Sequence, residues 1–199
     1  MIISSLAVDD FHPAPGAIAR IAKTLDYKER EYEGVKYKGV GTGYSPEGAK
    51  EALEQILGRS VHIDMEYFRL GLSSGDITNY IHADNGISTH ACVWYLTDAP
   101  DGVVAGTAFW RHKETGLEEV PDQSYFLDQD KFSVEDFFNL IQKDNFDESK
   151  WDMTGLIGQK YNRIAIYPTR KFHSRFPKDA WGTSVEDGRI CWTAFFRTL

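Results

Sequence analysis

The stretch Tyr80-Ile81-His82-Ala83-Asp84 decides which fold and which chemistry this chain is predicted to have. The polar, turn-forming residues 73–79 precede it and a strongly apolar strand pattern follows it, so the stretch is expected at the end of a strand. Side chains two positions apart in a strand point to the same face. We therefore expect His82 and Asp84 to hold one metal ion together, with His173 far along the chain as the third ligand.

Two histidines and one carboxylate on one face of an octahedral metal ion leave three positions open for other ligands. Arg189 lies a short distance beyond His173 and adds a group that binds carboxylates. The planar fork of an arginine holds a carboxylate through two parallel hydrogen bonds. The pattern predicts a metal site beside a binding site for an organic acid.

The His-x-Asp pattern alone is weak evidence, because the chain contains it twice. The second match is His62-Ile63-Asp64. With six histidines in the chain, about half a match is expected by chance. His62 and Asp64 begin a continuous strand pattern, where they are expected to share a face that points to solvent. We predict that His82 and Asp84 belong to the site and that the second match is accidental.

Composition limits the class of protein. A chain of 199 residues favours one domain over residues 1–199, and 42% hydrophobic with 14% aromatic residues is typical of a folded protein. The net charge of -8 argues against a nucleic-acid partner, because nucleic-acid-binding surfaces are usually basic. The first residues lack the basic region of a signal peptide, and no apolar run reaches transmembrane length. A cytoplasmic protein without a membrane partner is expected.

The two cysteines, Cys92 and Cys191, lie in apolar runs that read as strands. Buried, reduced thiols are the expected state in a cytoplasmic protein. A single disulfide between them remains the alternative.

The order of the elements predicts a mainly β fold with flanking helices. Helices are expected from Pro15 to Leu25 and from Ser45-Pro46 to Gly58, so residues 1–60 are predicted to form a helical support. Runs rich in β-branched and aromatic residues, bounded by turn formers, predict strands at 61–72, 89–97, 106–111, 162–168 and 189–196. Such short strands with long-range pairing favour a double-stranded β-helix, of the jelly-roll or cupin type, over residues 61–199.

One long segment, about residues 113–160, interrupts the strands as an insertion. It is acidic and aromatic, and Ser133 is predicted to cap a helix that runs to Ile141. An insertion of this length is often functional, as a lid or a substrate-binding wall. A helix that only closes the barrel is the alternative.

The order of the motifs resembles the 2-oxoglutarate- and Fe(II)-dependent dioxygenase superfamily, especially its prolyl-hydroxylase-like and DUF6445-type members. The resemblance covers about residues 66–199 without the insertion. It is carried by residues 80–84, 91–97, 105–110, 162–168, Phe172-His173-Ser174 and 188–196.

The resemblance implies a role for each matching residue. His82, Asp84 and His173 match the ligands of Fe(II). Arg189 matches the basic residue that pairs with the remote carboxylate of 2-oxoglutarate, the cosubstrate. Arg189 follows His173 by more residues than in many members, so Arg175 remains the alternative anchor.

Two further residues are expected to contact the cosubstrate. Alternation along the last strand places Thr193 on the same face as Arg189, and Tyr80 lies two residues before the first ligand. Two structural alternatives stay open. His173 can instead cap the turn before Pro177, and Arg189 can instead form an ion pair on the surface.

The implied activity is hydroxylation of a small-molecule, peptide or protein substrate, with release of succinate and carbon dioxide. In related halogenases the carboxylate ligand is missing, so Asp84 favours hydroxylation over halogenation. Two other functions remain: a cupin-type metal-dependent oxygenase that does not use 2-oxoglutarate, and a jelly-roll module that binds a partner without catalysis. The sequence predicts neither the substrate nor the oligomeric state.

Overall fold

A computed structural model describes residues 4–32, 34–74, 77, 79–84, 86–127 and 133–199. Parts of two predicted segments, residues 75, 76 and 78 of the turn and 128–132 of the insertion, lie outside the described residues. The strands of the described chain are β1 (Leu6–Val8), β2 (Lys28–Tyr32), β3 (Val35–Gly41), β4 (Val61–Gly71), β5 (His90–Tyr95), β6 (Gly106–His112), β7 (Trp151–Gly158), β8 (Ile164–Pro168), β9 (His173–Phe176) and β10 (Arg189–Thr198). The helices are α1 (Pro15–Thr24), α2 (Ala49–Leu57), α3 (Gln123–Leu127) and α4 (Val134–Asp144), with a 3-10 turn at Glu148–Lys150.

The strands form two antiparallel sheets that face each other. The larger sheet has the order β1-β8-β5-β10-β4-β3-β2, and the smaller sheet has the order β7-β6-β9. One apolar cluster contains side chains of both sheets, among them Val93 and Phe195 from the larger and Phe109 from the smaller. This arrangement confirms the predicted mainly β, jelly-roll-type fold with flanking helices.

The central strand β5 is apolar along its whole length because both of its faces are covered. Cys92 and Trp94 point to the cluster beneath the helices, whereas Val93 and Tyr95 point to the smaller sheet. Cys191 shares the face of Val93, so the two cysteines lie on opposite faces of the sheet, buried and free of a disulfide. The predicted reduced thiols agree with this arrangement.

Helices α1 and α2 cover the outer face of the larger sheet. Ile18, Ala22, Leu53 and Leu57 supply the buried positions, at the spacing of an amphipathic helix. Helix α2 begins later than predicted, after Gly48.

The predicted cap of α2 was wrong. The chain reaches α2 with Gly48 in a left-handed conformation, φ 82°. Ser45, the expected cap, instead donates a hydrogen bond to the Glu66 carboxylate. The predicted helix end at Gly58 is confirmed, with φ 63°.

Residues 1–60 are more than the predicted helical support, because they also contribute β1, β2 and β3 to the larger sheet. Strand β2 is exposed at every position. An exposed edge strand needs no apolar face, so its charged sequence gave no strand pattern. That residues 1–199 form one domain stays a prediction.

The predicted insertion at about 113–160 ends with a core strand. Strand β7 pairs with β6 along seven positions in the smaller sheet, so only the part before Trp151 lies outside the β-helix. Ser133 caps α4 as predicted, accepting from the Asp136 backbone N–H at 3.1 Å. Phe137 and Ile141 of α4 pack with Trp110 on the outer face of this sheet. No helix within the described ranges is long and apolar enough to cross a membrane.

Candidate metal centre and cosubstrate cavity

The backbone brings the first and last predicted ligands together. His82 and His173 form an antiparallel bridge, in which each backbone N–H donates to the other residue's carbonyl, at 3.0 and 2.8 Å. The backbone N–H of Asp84 donates to the Thr169 carbonyl at 2.9 Å. Two segments distant in sequence are therefore fixed side by side, with the ligands in register.

Both imidazole rings are oriented by the same kind of hydrogen bond. Nδ1 of His82 lies 2.9 Å from the Tyr80 carbonyl oxygen, and Nδ1 of His173 lies 2.8 Å from the Lys171 carbonyl oxygen. A carbonyl oxygen only accepts, so each Nδ1 carries the proton and donates. Each neutral ring then presents an unprotonated Nε2, the form that binds a metal.

The two Nε2 atoms converge on the Asp84 carboxylate. His173 Nε2 lies 3.1 Å from Asp84 Oδ2, and His82 Nε2 lies 3.5 Å from Asp84 Oδ1. One ligand atom from each residue lies within 4.8 Å of the others. Among the described residues this is the one group of three histidines, cysteines or acids that is close enough to hold a metal ion.

The second His-x-Asp match lies elsewhere, in strand β4. His62 Nε2 is 3.7 Å from Asp64 Oδ1, but the His62 side chain is 54% exposed. The Asp64 carboxylate accepts hydrogen bonds from Ser88 and Arg197. No third ligand joins this pair in the part of the chain that is described, as predicted for an accidental match.

The three candidate ligands also affect one another's protonation. Burial raises the pKa of the Asp84 carboxyl. The charges of His173 and His82 and their hydrogen bonds outweigh burial and hold this pKa well below its usual range. Burial lowers the pKa of His82, but the charge and hydrogen bond of Asp84 and the Tyr80 carbonyl outweigh burial and raise it. The carboxylate is therefore ionised and ready to bind a cation.

A cavity of about 410 Å³ opens beside the three ligands, between the two sheets. The inward-facing side chains of β10 line it, which are Arg189, Cys191, Thr193 and Phe195. Tyr80 also lines the cavity, so every predicted site residue lies on its wall.

Arg189 is buried in this wall, with 8% of its surface exposed. Its Nε donates to Gln159 Oε1 at 2.8 Å, and its Nη2 donates to the Gly106 carbonyl at 3.4 Å. The guanidinium also lies over the Tyr95 ring, 5.6 Å from the centroid. All these partners are neutral, so the alternative of a surface ion pair was wrong.

Arg175 lines the same cavity. Its Nε donates to the Lys178 carbonyl at 2.8 Å, whereas its buried Nη2 has no hydrogen-bond partner. Burial, followed by the charges of Arg189 and Arg69, lowers the pKa of Arg175 to about 10. Both candidate anchors thus line the cavity, Arg189 from the larger sheet and Arg175 from the smaller.

Tyr80 and Thr193 both line the cavity with polar side chains. The Tyr80 hydroxyl is buried near Glu148 and Ser174 without a well-formed hydrogen bond to a described residue, and burial raises the pKa of this phenol. Its ring packs against Trp110, which holds it in place. Thr193 lies opposite Tyr67 of β4 and Val93 of β5, near the centre of the sheet.

Sequence reasoning missed the cavity residues of β4. Met65, Tyr67, Arg69 and Gly71 alternate along this strand and all line the cavity. The sequence did not single them out, and the β4–β10 register is what identifies Arg69 as a neighbour of Arg189. Tyr167 of β8, whose ring centroid lies 4.6 Å from that of His173, was missed as well.

Comparison of sequences identifies one family. Residues 77–196 match the model of DUF6445, described as a family of unknown function. No curated protein sequence matches the chain at a significant level.

Comparison of structures finds similar folds among enzymes. The epimerase SnoN from nogalamycin biosynthesis, described as non-heme and alpha-ketoglutarate dependent, has a TM-score of 0.54 and 11% identity, covering 98% of this chain and 78% of SnoN. AviO1 from Streptomyces viridochromogenes Tue57 has a TM-score of 0.55 and 10% identity, covering 96% and 89%. HygX from Streptomyces hygroscopicus, with nickel and 2-oxoglutarate bound, has a TM-score of 0.53 and 8% identity, covering 98% and 83%. At such low identity the likeness establishes the fold alone.

Proposed function

The chain belongs to DUF6445, a family of unknown function, and we propose that it is a non-haem Fe(II)- and 2-oxoglutarate-dependent oxygenase. In this proposal it hydroxylates its substrate and releases succinate and carbon dioxide. The observation that carries the proposal is the convergence of His82, Asp84 and His173 beside a cavity lined by arginines. SnoN, described as alpha-ketoglutarate dependent, and HygX, which has nickel and 2-oxoglutarate bound, have a similar fold and provide further support.

The donor set fits Fe(II). Two imidazole nitrogens and one carboxylate, with open positions beside them, are the ligands of non-haem Fe(II) oxygenases. His82 and His173 each have the free nitrogen that such a site requires, because their Nδ1 atoms already donate to carbonyl oxygens. We assign these two residues and Asp84 as the metal ligands, which gives each the catalytic role of holding the iron.

The cavity fits 2-oxoglutarate. We assign Arg189 to the remote carboxylate of the cosubstrate, because it is buried, inward-facing and held by Gln159 and the Gly106 carbonyl. Arg175 remains the alternative anchor. Thr193 and the buried hydroxyl of Tyr80, which both line the cavity, are assigned as further hydrogen-bond donors to the cosubstrate.

When bound, iron and 2-oxoglutarate supply the oxidising chemistry that the protein side chains lack. The chain's own residues position the reactants and exclude water. The carboxylate of Asp84 keeps one metal position occupied by protein, which favours hydroxylation over transfer of a halide. The wall formed by Tyr167, Tyr67 and Phe195 shields the site from solvent.

The proposed substrate is a small molecule or a peptide that reaches the metal through this cavity. The proposed compartment is the cytoplasm, whose reducing conditions keep Cys92 and Cys191 as thiols.

Anaerobic purification, metal analysis and a succinate assay test the proposal. We expect one Fe(II) per chain, and slow succinate release that requires iron, oxygen and 2-oxoglutarate even without substrate. The same assay includes a sample treated with a chelator and reloaded with Fe(II), which must recover its activity.

Each competing function gives a different result. Iron binding at full occupancy without binding or consumption of 2-oxoglutarate would indicate a cupin-type oxygenase and contradict the proposal. No metal binding at all would indicate a jelly-roll binding module.

A further inference from the structure

The cavity wall carries more positive charge than one dicarboxylate requires. Besides Arg30 on the exposed strand β2, three arginines line it: Arg69 on β4, Arg175 on β9 and Arg189 on β10. In the β4–β10 ladder, Arg69 lies opposite Cys191. Arg69 and Arg189 are therefore diagonal neighbours on one face of the sheet, with their backbones about 7–8 Å apart across the two strands. Arg175 contacts the same corner, with Nη1 3.2 Å from where a Cβ on Gly71 would lie.

None of these three guanidinium groups has a carboxylate within ion-pair distance among the described residues. Arg175 and Arg189 bond only to neutral acceptors. Arg69 lies over the Tyr37 ring, 5.9 Å from its centroid, and no hydrogen bond from its guanidinium to a described residue accompanies this contact.

The acidic residues of the cavity wall do not balance this charge. Asp84 faces the two histidines. The Glu66 carboxylate already accepts hydrogen bonds from Ser45 and from Trp192, on the helix side of the sheet. Glu31 lies on the exposed strand β2 next to Arg30, so this pair adds no net charge.

A count of charges shows the surplus. In the proposed complex, Fe(II) and one arginine balance the Asp84 carboxylate and the two carboxylates of 2-oxoglutarate. Two guanidinium groups of the cavity are then left without an ion-paired carboxylate among the described residues. Like charges that line one cavity raise the local concentration of anions, so the surplus indicates a binding site for a second anion.

Arg69 lies on the side of the cavity next to strands β2 and β3. It pairs with Val40 of β3, next to the exposed β2–β3 edge, and it is partly exposed, whereas Arg189 is buried. The Tyr37 ring beneath Arg69 fixes the guanidinium without neutralising it. The side chain thus keeps its hydrogen-bond donors for a ligand.

We infer that the primary substrate is a small molecule with a carboxylate or phosphate group, which binds Arg69 together with whichever of Arg175 and Arg189 does not hold 2-oxoglutarate. This inference rests on the proposed function. A cavity of about 410 Å³ lies in the range of small-molecule sites, roughly 300–1,000 Å³, and has to accept the cosubstrate as well. The arginine fork suits both anions, and the site excludes a substrate that is cationic at this end.

Calorimetry on the Ni(II)-loaded protein tests the inference without turnover. The protein is first saturated with 2-oxoglutarate and then titrated separately with acetate and with inorganic phosphate, with chloride replaced to keep ionic strength constant. We expect one of the two anions to bind in a ternary complex. The anion that binds more tightly identifies the substrate group.

Variants assign the site. Arg69→Met is expected to weaken binding of the second anion by at least about tenfold, and to change 2-oxoglutarate affinity by less than about threefold. Arg69→Lys, which keeps the charge without the fork, should give an intermediate affinity. Arg197→Met is the matched control, because Arg197 lies on β10 outside the cavity and pairs with Asp64. Circular dichroism and the melting temperature verify that each variant is folded.

The outcomes separate this inference from the proposed function. The inference would be overturned if acetate and phosphate only competed with 2-oxoglutarate and formed no ternary complex. It would also be overturned if Arg69→Met and the wild type bound the second anion with equal affinity. Failure of 2-oxoglutarate to bind, with the anion still bound through Arg69, would overturn the proposed cosubstrate and leave the anion site standing.

Discussion

Nε2 of His173 lies 3.1 Å from Oδ2 of Asp84, although the whole of residues 113–160 separates their segments in sequence. The contact follows from the backbone pairing of His82 with His173, which only the folded β-helix provides. A metal that binds at this point binds the native state and not the unfolded chain. Its binding should therefore stabilise the fold.

The two His-x-Asp matches allow a controlled test of the metal site. We expect Ni(II) to raise the melting temperature of the wild type, since a ligand at about 100 times its Kd adds about 2.7 kcal/mol. His82→Ala should abolish both this shift and Fe(II)-dependent succinate release. His62→Ala removes a histidine of the same local pattern from an exposed site, and should leave both unchanged.

An equal loss of the Ni(II)-induced shift in His82→Ala and His62→Ala would show that the metal does not distinguish the two sites. A metal-induced shift that survives in His82→Ala would remove this residue from the ligand set.

The pairing of His82 and Asp84 was predictable because extended backbone points residues two apart to the same side. The predicted strand-end position, which separated them from His62 and Asp64, was wrong: His82 forms an isolated bridge and Asp84 lies outside the strands, between β4 and β5. The bridge to His173 depends on long-range pairing, which the sequence indicated only through the resemblance to a known family.

The rest of the cavity was harder to predict. Arg69 belongs to a strand in which both faces carry polar residues, so its alternation did not stand out. The edge strand β2 escaped prediction because an exposed strand needs no apolar face, and β3, which joins β2 to β4, was missed with it. The contribution of Arg69 thus became visible only when the β4–β10 register placed it beside Arg189.

The metal-free protein should lose stability as the pH rises. Burial lowers the pKa of His82, but the Asp84 carboxylate and the Tyr80 carbonyl raise it above 6.5. A histidine whose pKa is higher in the folded state than in the unfolded state stabilises the fold fully at pH values below the unfolded-state pKa. This contribution is lost as the pH rises through the folded-state pKa. We expect the melting temperature of the metal-free protein to fall between about pH 6 and about pH 8. The fall should be larger in the wild type than in Asp84→Asn.

Metal binding should show the opposite pH dependence, because the ligands must lose their protons to bind. The Ni(II)-induced shift in melting temperature should grow between the same two pH values. Asp64→Asn is the control, since it disrupts the exposed His62 pair and should follow the wild-type pH profile. An identical profile for Asp84→Asn and wild type would contradict the coupling of His82 to Asp84.

Asn162 should be important for stability and not for the metal. Its backbone has φ 61°, and its Oδ1 accepts from Trp94 Nε1 and the His12 N–H, both at 3.1 Å. Its Nδ2 donates to the His12 carbonyl at 3.0 Å. Asn162→Ala should lower the free energy of unfolding by about 2–4 kcal/mol, because it leaves buried groups unpaired and places alanine in a left-handed conformation.

Asn162→Gly separates the two causes. It removes the same hydrogen bonds but tolerates the positive φ, so its loss should be about 1 kcal/mol smaller in urea denaturation. An equal decrease in the free energy of unfolding for both substitutions would attribute the whole effect to the hydrogen bonds. A decrease below about 0.5 kcal/mol for Asn162→Ala would contradict the prediction.

The choice between Arg189 and Arg175 as the anchor of 2-oxoglutarate has a direct test. Arg189→Met should raise the Kd of 2-oxoglutarate for the Ni(II)-loaded protein by about 10- to 100-fold, the effect of losing about 1.4–2.8 kcal/mol of charge-assisted hydrogen bonding. Arg175→Met should have a smaller effect, because Arg189 is held at two nitrogens, by Gln159 and by the Gly106 carbonyl, whereas Arg175 is held only at Nε, by the Lys178 carbonyl. Calorimetry gives both affinities, and Arg197→Met controls for the loss of one charge on the same strand. The reverse order of the two effects would make Arg175 the anchor and leave Arg189 to the substrate.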